Sequence, residues 1–203
     1  MKLYDGGRAP NPRRVRIFLA EKGITVPLVP VDIGKMEQRG PDFTAINPLQ
    51  RTPALVLDDG TVITESVAIC RYFEELHPEP PLFGTDALSR AQVEMWQRRI
   101  EFGLYMPVAS AFRHLHPAMA AMEVPQVAEW GEANREKAIE FLTVLDAHLE
   151  GRRYVCGDVF TIADITGLIS VDFMKVPKLA VPETCANVRR WHAEISTRPS
   201  ASA

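Results

Sequence analysis

Between Asn47 and Ser66 the chain reads NPLQRTPALVLDDGTVITES, and the polar residues of this stretch are spaced to hold a peptide. Pro53 stands directly before the apolar run Ala54-Leu55-Val56-Leu57. A proline donates nothing to a sheet ladder, so it belongs at the first residue of a strand. An X-Pro bond at such a corner is also one of the few places where a cis peptide costs little. A cis bond there turns the N–H and C=O of Thr52 outward, where an extended ligand backbone can pair with them. Asp58-Asp59-Gly60 closes a tight hairpin. Glu65 and Ser66 then open a helix whose N–H groups and positive dipole end favour a carboxylate. Arg51, just before the corner, can make a directional, charge-assisted contact to another carboxylate. Such a site grips a short anionic peptide by its backbone and catches an α-amino-acid group at the helix start.

Other residues carry chemistry outside this stretch. Arg13, Arg14 and Arg16 crowd the first turns of a helix, where cations oppose the macrodipole. That cost makes sense where an anion must be held, and a solvated cluster is the alternative for any one of them. Ser110 and His114 lie four apart and so share a helix face. Together they could orient a water, with His114 as base; a solvated histidine beside a helix end is the plain alternative. Asn11 is suited to the N-cap, with Pro12 following at the first helical position. Cys70 falls inside a helix four residues past Ser66 and reads as a small buried hydrophobe rather than a nucleophile.

These residues need elements to position them. A strand at Lys2–Asp5 leads into a helix from about Pro12 to Lys22, with Val15, Phe18 and Leu19 along one stripe. Gly23 is placed to end that helix. A second strand covers Val26–Val31, and its two prolines, Pro27 and Pro30, point to a sheet edge. A loop with a short helix follows over Lys35–Ala45, then the hairpin, then a helix from near Glu65 with Ile69, Tyr72, Phe73 and Leu76 in register. The stretch from His77 to Gly84 is rich in helix breakers and reads as a linker. Beyond it the pattern is helical throughout. One long helix runs from Ala87 to His114 with a bend expected at Pro107, another from Val127 to Leu149, and a last one over Asn187–Ser196. Thr161 and Asp164 form a helix-capping segment of structural character. The expected division is residues 1–78, a linker over 79–86, and a helical domain over 87–203.

The composition sets limits. In 203 residues, 46% are hydrophobic and 24% charged, which is ordinary for one large or two small domains. A net charge of −3 gives no electrostatic reason to expect nucleic acid or an anionic membrane. No apolar run approaches the length that spans a bilayer, and the first residues go straight into a strand without a signal peptide. Cys70, Cys156 and Cys185 are odd in number and far apart, which points to a reducing cytoplasm with neither a disulfide framework nor a metal site.

The Asn47–Ser66 stretch and the order of elements resemble the cytosolic glutathione transferases. The resemblance implies an α/β plus all-α fold class, with a thioredoxin-like N-terminal domain followed by an all-helical C-terminal domain. It implies glutathione as co-substrate, with Thr52 before Pro53 pairing with the cysteinyl backbone and Glu65-Ser66 binding the γ-glutamyl group. Arg51 and Gln38 match positions that hold the glycine carboxylate. The family's Tyr, Ser or Cys activator is missing: Ala9 stands at the serine-type position, and Tyr4 lies too early, inside the strand. Asn11 is one substitute, since some bacterial members place an Asn there. Ser110 with His114 is the other. The segments Pro12–Lys22 and Phe112–Pro117 resemble an atypical fungal-type class that uses a serine- and histidine-held water. Met106, Phe112, Met119 and Met122 are candidates for lining an electrophile pocket, with core packing as the alternative. The expected protein is a cytoplasmic homodimer that joins the glutathione thiolate to a small hydrophobic electrophile. A glutathione-dependent disulfide or peroxide reductase is one alternative, and a non-catalytic glutathione-binding or regulatory protein is another.

Overall fold

A computed structural model describes residues 1–203. The chain forms two compact units, Met1–Leu82 with Pro199–Ala203, and Phe83–Arg198. The expected division carried the helical part to residue 203. Instead Pro199–Ser202 forms a 3-10 turn that belongs with the first unit.

The first unit is a four-stranded sheet in the order β2-β1-β3-β4, made of β1 (Lys2–Asp5), β2 (Leu28–Pro30), β3 (Ala54–Val56) and β4 (Val62–Thr64). β1 pairs parallel to β2 and antiparallel to β3, and β3 pairs antiparallel to β4. Prolines 27 and 30 confine β2 to three residues at the sheet edge, shorter than expected, because neither can donate to a ladder. The helices are α1 (Pro10–Glu21), α2 (Pro41–Ile46) and α3 (Ser66–Leu76). Val15, Ile17 and Phe18 of α1, Ile69 and Phe73 of α3, and Leu3 and Leu55 of the sheet are buried together as its core. This is the thioredoxin-like plan.

The second unit is helical: α4 (Ala87–Ile100), α5 (Met106–Leu115), α6 (Ala128–His148), α7 (Ile162–Phe173) and α8 (Ala186–Ser196). The single long helix expected over Ala87–His114 is divided by a π-helical turn at Glu101–Tyr105. Pro107 lacks an N–H for the carbonyl of Gly103 and its ring would strike it, and the widened turn just before it relieves both problems. Gly103 also admits the ring of Phe141, which would stand 2.2 Å from a Cβ there. Asp164 is fully buried at the start of α7. It accepts from Val155 N–H at 2.9 Å, Trp191 Nε1 at 2.9 Å, and Thr161 N–H and Oγ at 2.9 and 3.1 Å. Burial pushes its carboxyl up, and these donors pull the other way. No helix is long and apolar enough to cross a membrane.

Candidate functional site

The candidate site in the first unit is built from two helix starts and one loop corner. The Thr52–Pro53 bond is cis, and β3 begins directly after it. The main-chain N–H and C=O of Thr52 enter neither the sheet ladder nor a turn. Asn47, 2% exposed, holds the approach to this corner: its Nδ2 donates to the carbonyl of Arg51 at 2.7 Å, and its Oδ1 accepts from Leu49 N–H at 3.1 Å. Gly6, at the end of β1, leaves room for the corner. A Cβ there would lie 2.3 Å from Thr52 Oγ1 and 2.6 Å from Ile33 Cδ1.

Glu65 occupies the N-cap position of α3 at φ 65° and ψ 115°, a conformation that residues with a Cβ rarely adopt. Such a backbone costs about 1–3 kcal/mol and persists where the surroundings impose it. The Glu65 side chain makes no cap hydrogen bond, so the first N–H groups of α3 remain open to an outside acceptor. Its carboxylate is exposed and engages no group of the chain.

Arg14 joins the two helix starts. It is 1% exposed, on the buried face of α1 beside Val15 and Phe18. Its Nη1 donates to Ser66 Oγ at 2.6 Å and to Asn11 Oδ1 at 3.0 Å. An arginine only donates, so the Asn11 amide must present its oxygen to Arg14, which leaves the NH₂ group to donate elsewhere. Asn11 is half-buried and lies one residue inside α1; the N-cap is Ala9, with Pro10 as the first helical residue. This corrects the N-cap expected at Asn11: two prolines, at 10 and 12, start the helix two residues early. Ala9 provides no side-chain cap and the first turn has no acidic residue, so this helix start is open as well.

The arginine cluster separates into three roles. Arg16 pairs with Asp5 at the end of β1, and Arg13 Nη2 donates to the carbonyl of Ala201 at 2.9 Å, tying the C-terminal turn to α1. Only Arg14 reaches the site. Its place was visible in principle as a cation on the apolar stripe of an amphipathic helix. Cys70 is buried with its thiol pushed up by desolvation, which removes it as a nucleophile. Arg51 is exposed next to the Thr52 corner. Gln38, 5% exposed, lies in the 3-10 turn Glu37–Arg39 with its Oε1 buried.

Ser110 and His114 lie on α5 of the helical unit. The His114 ring, expected to orient a water together with Ser110, meets residues beyond the end of α5. Its Nδ1 accepts from Val127 N–H at 3.0 Å, at the start of α6, and its Nε2 stands 3.7 Å from Glu123 Oε1. His114 is the last residue but one of α5, which brings its ring to the start of α6. Met119 is buried, Met106 is exposed, and Phe112 packs edge-on against Phe173 at 5.3 Å.

Family models locate this geometry among known proteins. The glutathione S-transferase N-terminal domain matches residues 9–76 and the C-terminal domain matches residues 106–199. The chain belongs to the glutathione S-transferase family. It is 39% identical to glutathione S-transferase 2 of Saccharomyces cerevisiae, over 98% of this chain and 87% of that one. It is 31% identical to glutathione S-transferase F9 of Arabidopsis thaliana, over 98% and 94%. The crystal structure of Gtt2 from Saccharomyces cerevisiae superposes with a TM-score of 0.95 at 38% identity, covering 100% of this chain and 99% of that one. A class Gtt2 transferase from Vibrio parahaemolyticus gives 0.86 at 37% identity, covering 98% and 94%. Arg14, Ser66 and the cis Thr52–Pro53 bond all fall within the matched N-terminal domain.

Proposed function

We propose that this family member binds glutathione in its N-terminal unit and transfers the thiolate to a small hydrophobic electrophile. The observation that carries the reading is the Arg14 bridge between Asn11 and Ser66, which ties two uncapped helix starts to one buried cation. Glu65 and the α3 start take the γ-glutamyl ammonium and carboxylate, Thr52 pairs with the cysteinyl backbone, and Arg51 meets the glycine carboxylate. The thiol needs help, because an unperturbed cysteine ionises near about 8.5. The Asn11 NH₂ group, the α1 dipole and the Arg14 charge all stabilise the thiolate over the thiol. Holding it beside the electrophile then makes the attack effectively intramolecular.

The assay is the ultraviolet thiolate absorbance of bound glutathione against pH, with turnover measured on 1-chloro-2,4-dinitrobenzene and on a glutathione mixed disulfide. The expected result is a bound-thiol pKa well below that of the free tripeptide, raised by about one unit in Asn11→Ala, with turnover on the aryl chloride. An unshifted thiol with tight binding would make this a binding protein, and turnover on the disulfide alone would make it a reductase. The setting is a cytoplasmic homodimer. Leu88, Met95 and Phe102 lie seven residues apart, are exposed at 68%, 40% and 64%, and supply an apolar stripe for a second copy.

A further inference from the structure

The start of α1 carries Asn11 and Arg14, and little in the helix itself holds that start in place. Pro10 and Pro12 have no N–H to donate, Ala9 supplies no side-chain cap, and the first turn has no acidic residue. A helix end of this kind frays readily. Contacts from outside the helix must therefore fix where Asn11 points.

Adjacent residues supply two such contacts. Arg14 Nη1 reaches Ser66 Oγ of α3 at 2.6 Å, and Arg13 Nη2 donates to the Ala201 carbonyl at 2.9 Å. Successive side chains leave a helix about 100° apart. One tie would leave the first turn free to roll about it, whereas two ties at that angle fix the roll as well as the distance from α3.

The tie at Arg13 is part of a longer contact with the turn Pro199–Ser202. Ser200 is 6% exposed, and its Oγ donates to Glu21 Oε1. Arg13, Ile17 and Glu21 are spaced four apart and form one stripe of α1, with Ile17 fully buried between the two contacts. Positions 13 and 21 lie about 12 Å apart along the axis, so the turn is laid along the length of the helix. The far end of α1 is additionally held by Lys22, which pairs with Glu74 and donates to the His77 carbonyl at 2.7 Å. The contact at Ser200 is thus supported by a neighbour, and the one at Arg13 bears more directly on the site. A cation in the first turn opposes the helix dipole, and this one has its acceptor outside the helix.

We propose that Arg13 is a positioning residue for the glutathione thiol: by tying α1 to the Pro199–Ser202 turn, it sets the Asn11 amide against the sulfur. The inference rests on the glutathione reading given above. Arg13 itself touches no substrate. A displacement of about 1 Å at the reacting groups can cost as much as a hundredfold in rate, and the aim of a donor decides how far it favours thiolate over thiol.

The test compares two full-length variants with the wild type. Arg13→Met keeps an apolar stem and removes the donor, while the double variant Pro199→Gly/Ser200→Ala loosens the turn and leaves every charge in place. The measurements are the ultraviolet pKa of bound glutathione, kcat and glutathione KM with 1-chloro-2,4-dinitrobenzene, and the urea midpoint. The thiol pKa should rise by about half a unit in Arg13→Met, and by a smaller step in the same direction in the double variant. In Arg13→Met, kcat should fall by about three- to tenfold while glutathione KM changes by less than about twofold, because Glu65, Thr52 and Arg51 are untouched. A lowered urea midpoint with thiol pKa and kcat in place would make Arg13 merely structural and overturn the proposal. A rise in Arg13→Met with none in the double variant would mean that its charge acts directly on the thiol, and would overturn it too. An unshifted thiol in the wild type would overturn the glutathione reading itself.

Discussion

At the start of α7, Asp164 is fully buried and every donor around it is satisfied inside the chain, whereas at the start of α3 Glu65 is exposed and engages nothing. Both starts set an acidic residue near a hydroxyl residue. In the first, the acid sits three positions inside the helix and reaches back to close it. In the second, the acid stands before the helix at a positive φ, and the hydroxyl of Ser66 turns inward to Arg14. The difference separates a helix start saturated inside the chain from one whose first N–H groups receive no side-chain cap. An internally saturated site cannot bind, and an open one carries the cost of unmade hydrogen bonds until a ligand makes them.

Substitutions should separate the two starts. The largest effect is expected at Asp164: Asp164→Ala leaves the donors of Val155, Thr161 and Trp191 buried without an acceptor. It should destabilise the chain by on the order of 3 kcal/mol or more in urea unfolding. Glutathione affinity of the folded fraction should not change, and a lost affinity would mean the two starts are coupled. Glu65 should show the reverse pattern. Glu65→Ala removes the charge partner of the γ-glutamyl ammonium and should weaken glutathione binding by about tenfold or more. Glu65→Gly should bind equally poorly while gaining up to about 1 kcal/mol of stability, because glycine accepts the positive φ. Unchanged affinity in both variants would remove Glu65 from the site.

Smaller effects sharpen the contrast. His114→Ala deletes the acceptor for Val127 N–H and should cost about 1 kcal/mol, as loss of a helix cap does. The bound-thiol pKa should stay where it is in the wild type; a rise would restore His114 to the chemistry. The smallest change is expected from alkylation of Cys156 at pH 7.5. With its thiol pushed up to about 11, iodoacetamide should modify it at least about a hundredfold more slowly than a free cysteine. Modification at the ordinary rate would show that the segment around Gly157 opens.

Much of this was legible in the residues. Pro53 before an apolar run pointed to a strand start at a corner where a cis bond costs little, and the bond is cis. Pro27 and Pro30 pointed to an edge strand, and β2 is one. The arginine cluster was not legible in the same way. Arg13, Arg14 and Arg16 are adjacent in sequence but meet the C-terminal turn, Ser66 and Asp5 respectively. Helical rotation of about 100° per residue sends neighbours to different surroundings. The partners of His114 were not legible for a related reason, since its acidic and main-chain contacts arrive from residues nine and thirteen positions further on.

The sequence by itself determined the order of strands and helices, the corner at Thr52–Pro53 and the open acidic start at Glu65-Ser66. Those features follow from local preferences: a proline without a donor, turn residues in a hairpin, and apolar periods of two or 3.6. Only the tertiary structure decided that Arg14 joins Asn11 to Ser66, that His114 accepts from Val127 N–H at the start of α6, and that Trp96 stacks on His148. Each of these depends on contacts between segments distant in the chain, and local preference carries no information about which surfaces packing will bring within hydrogen-bond reach.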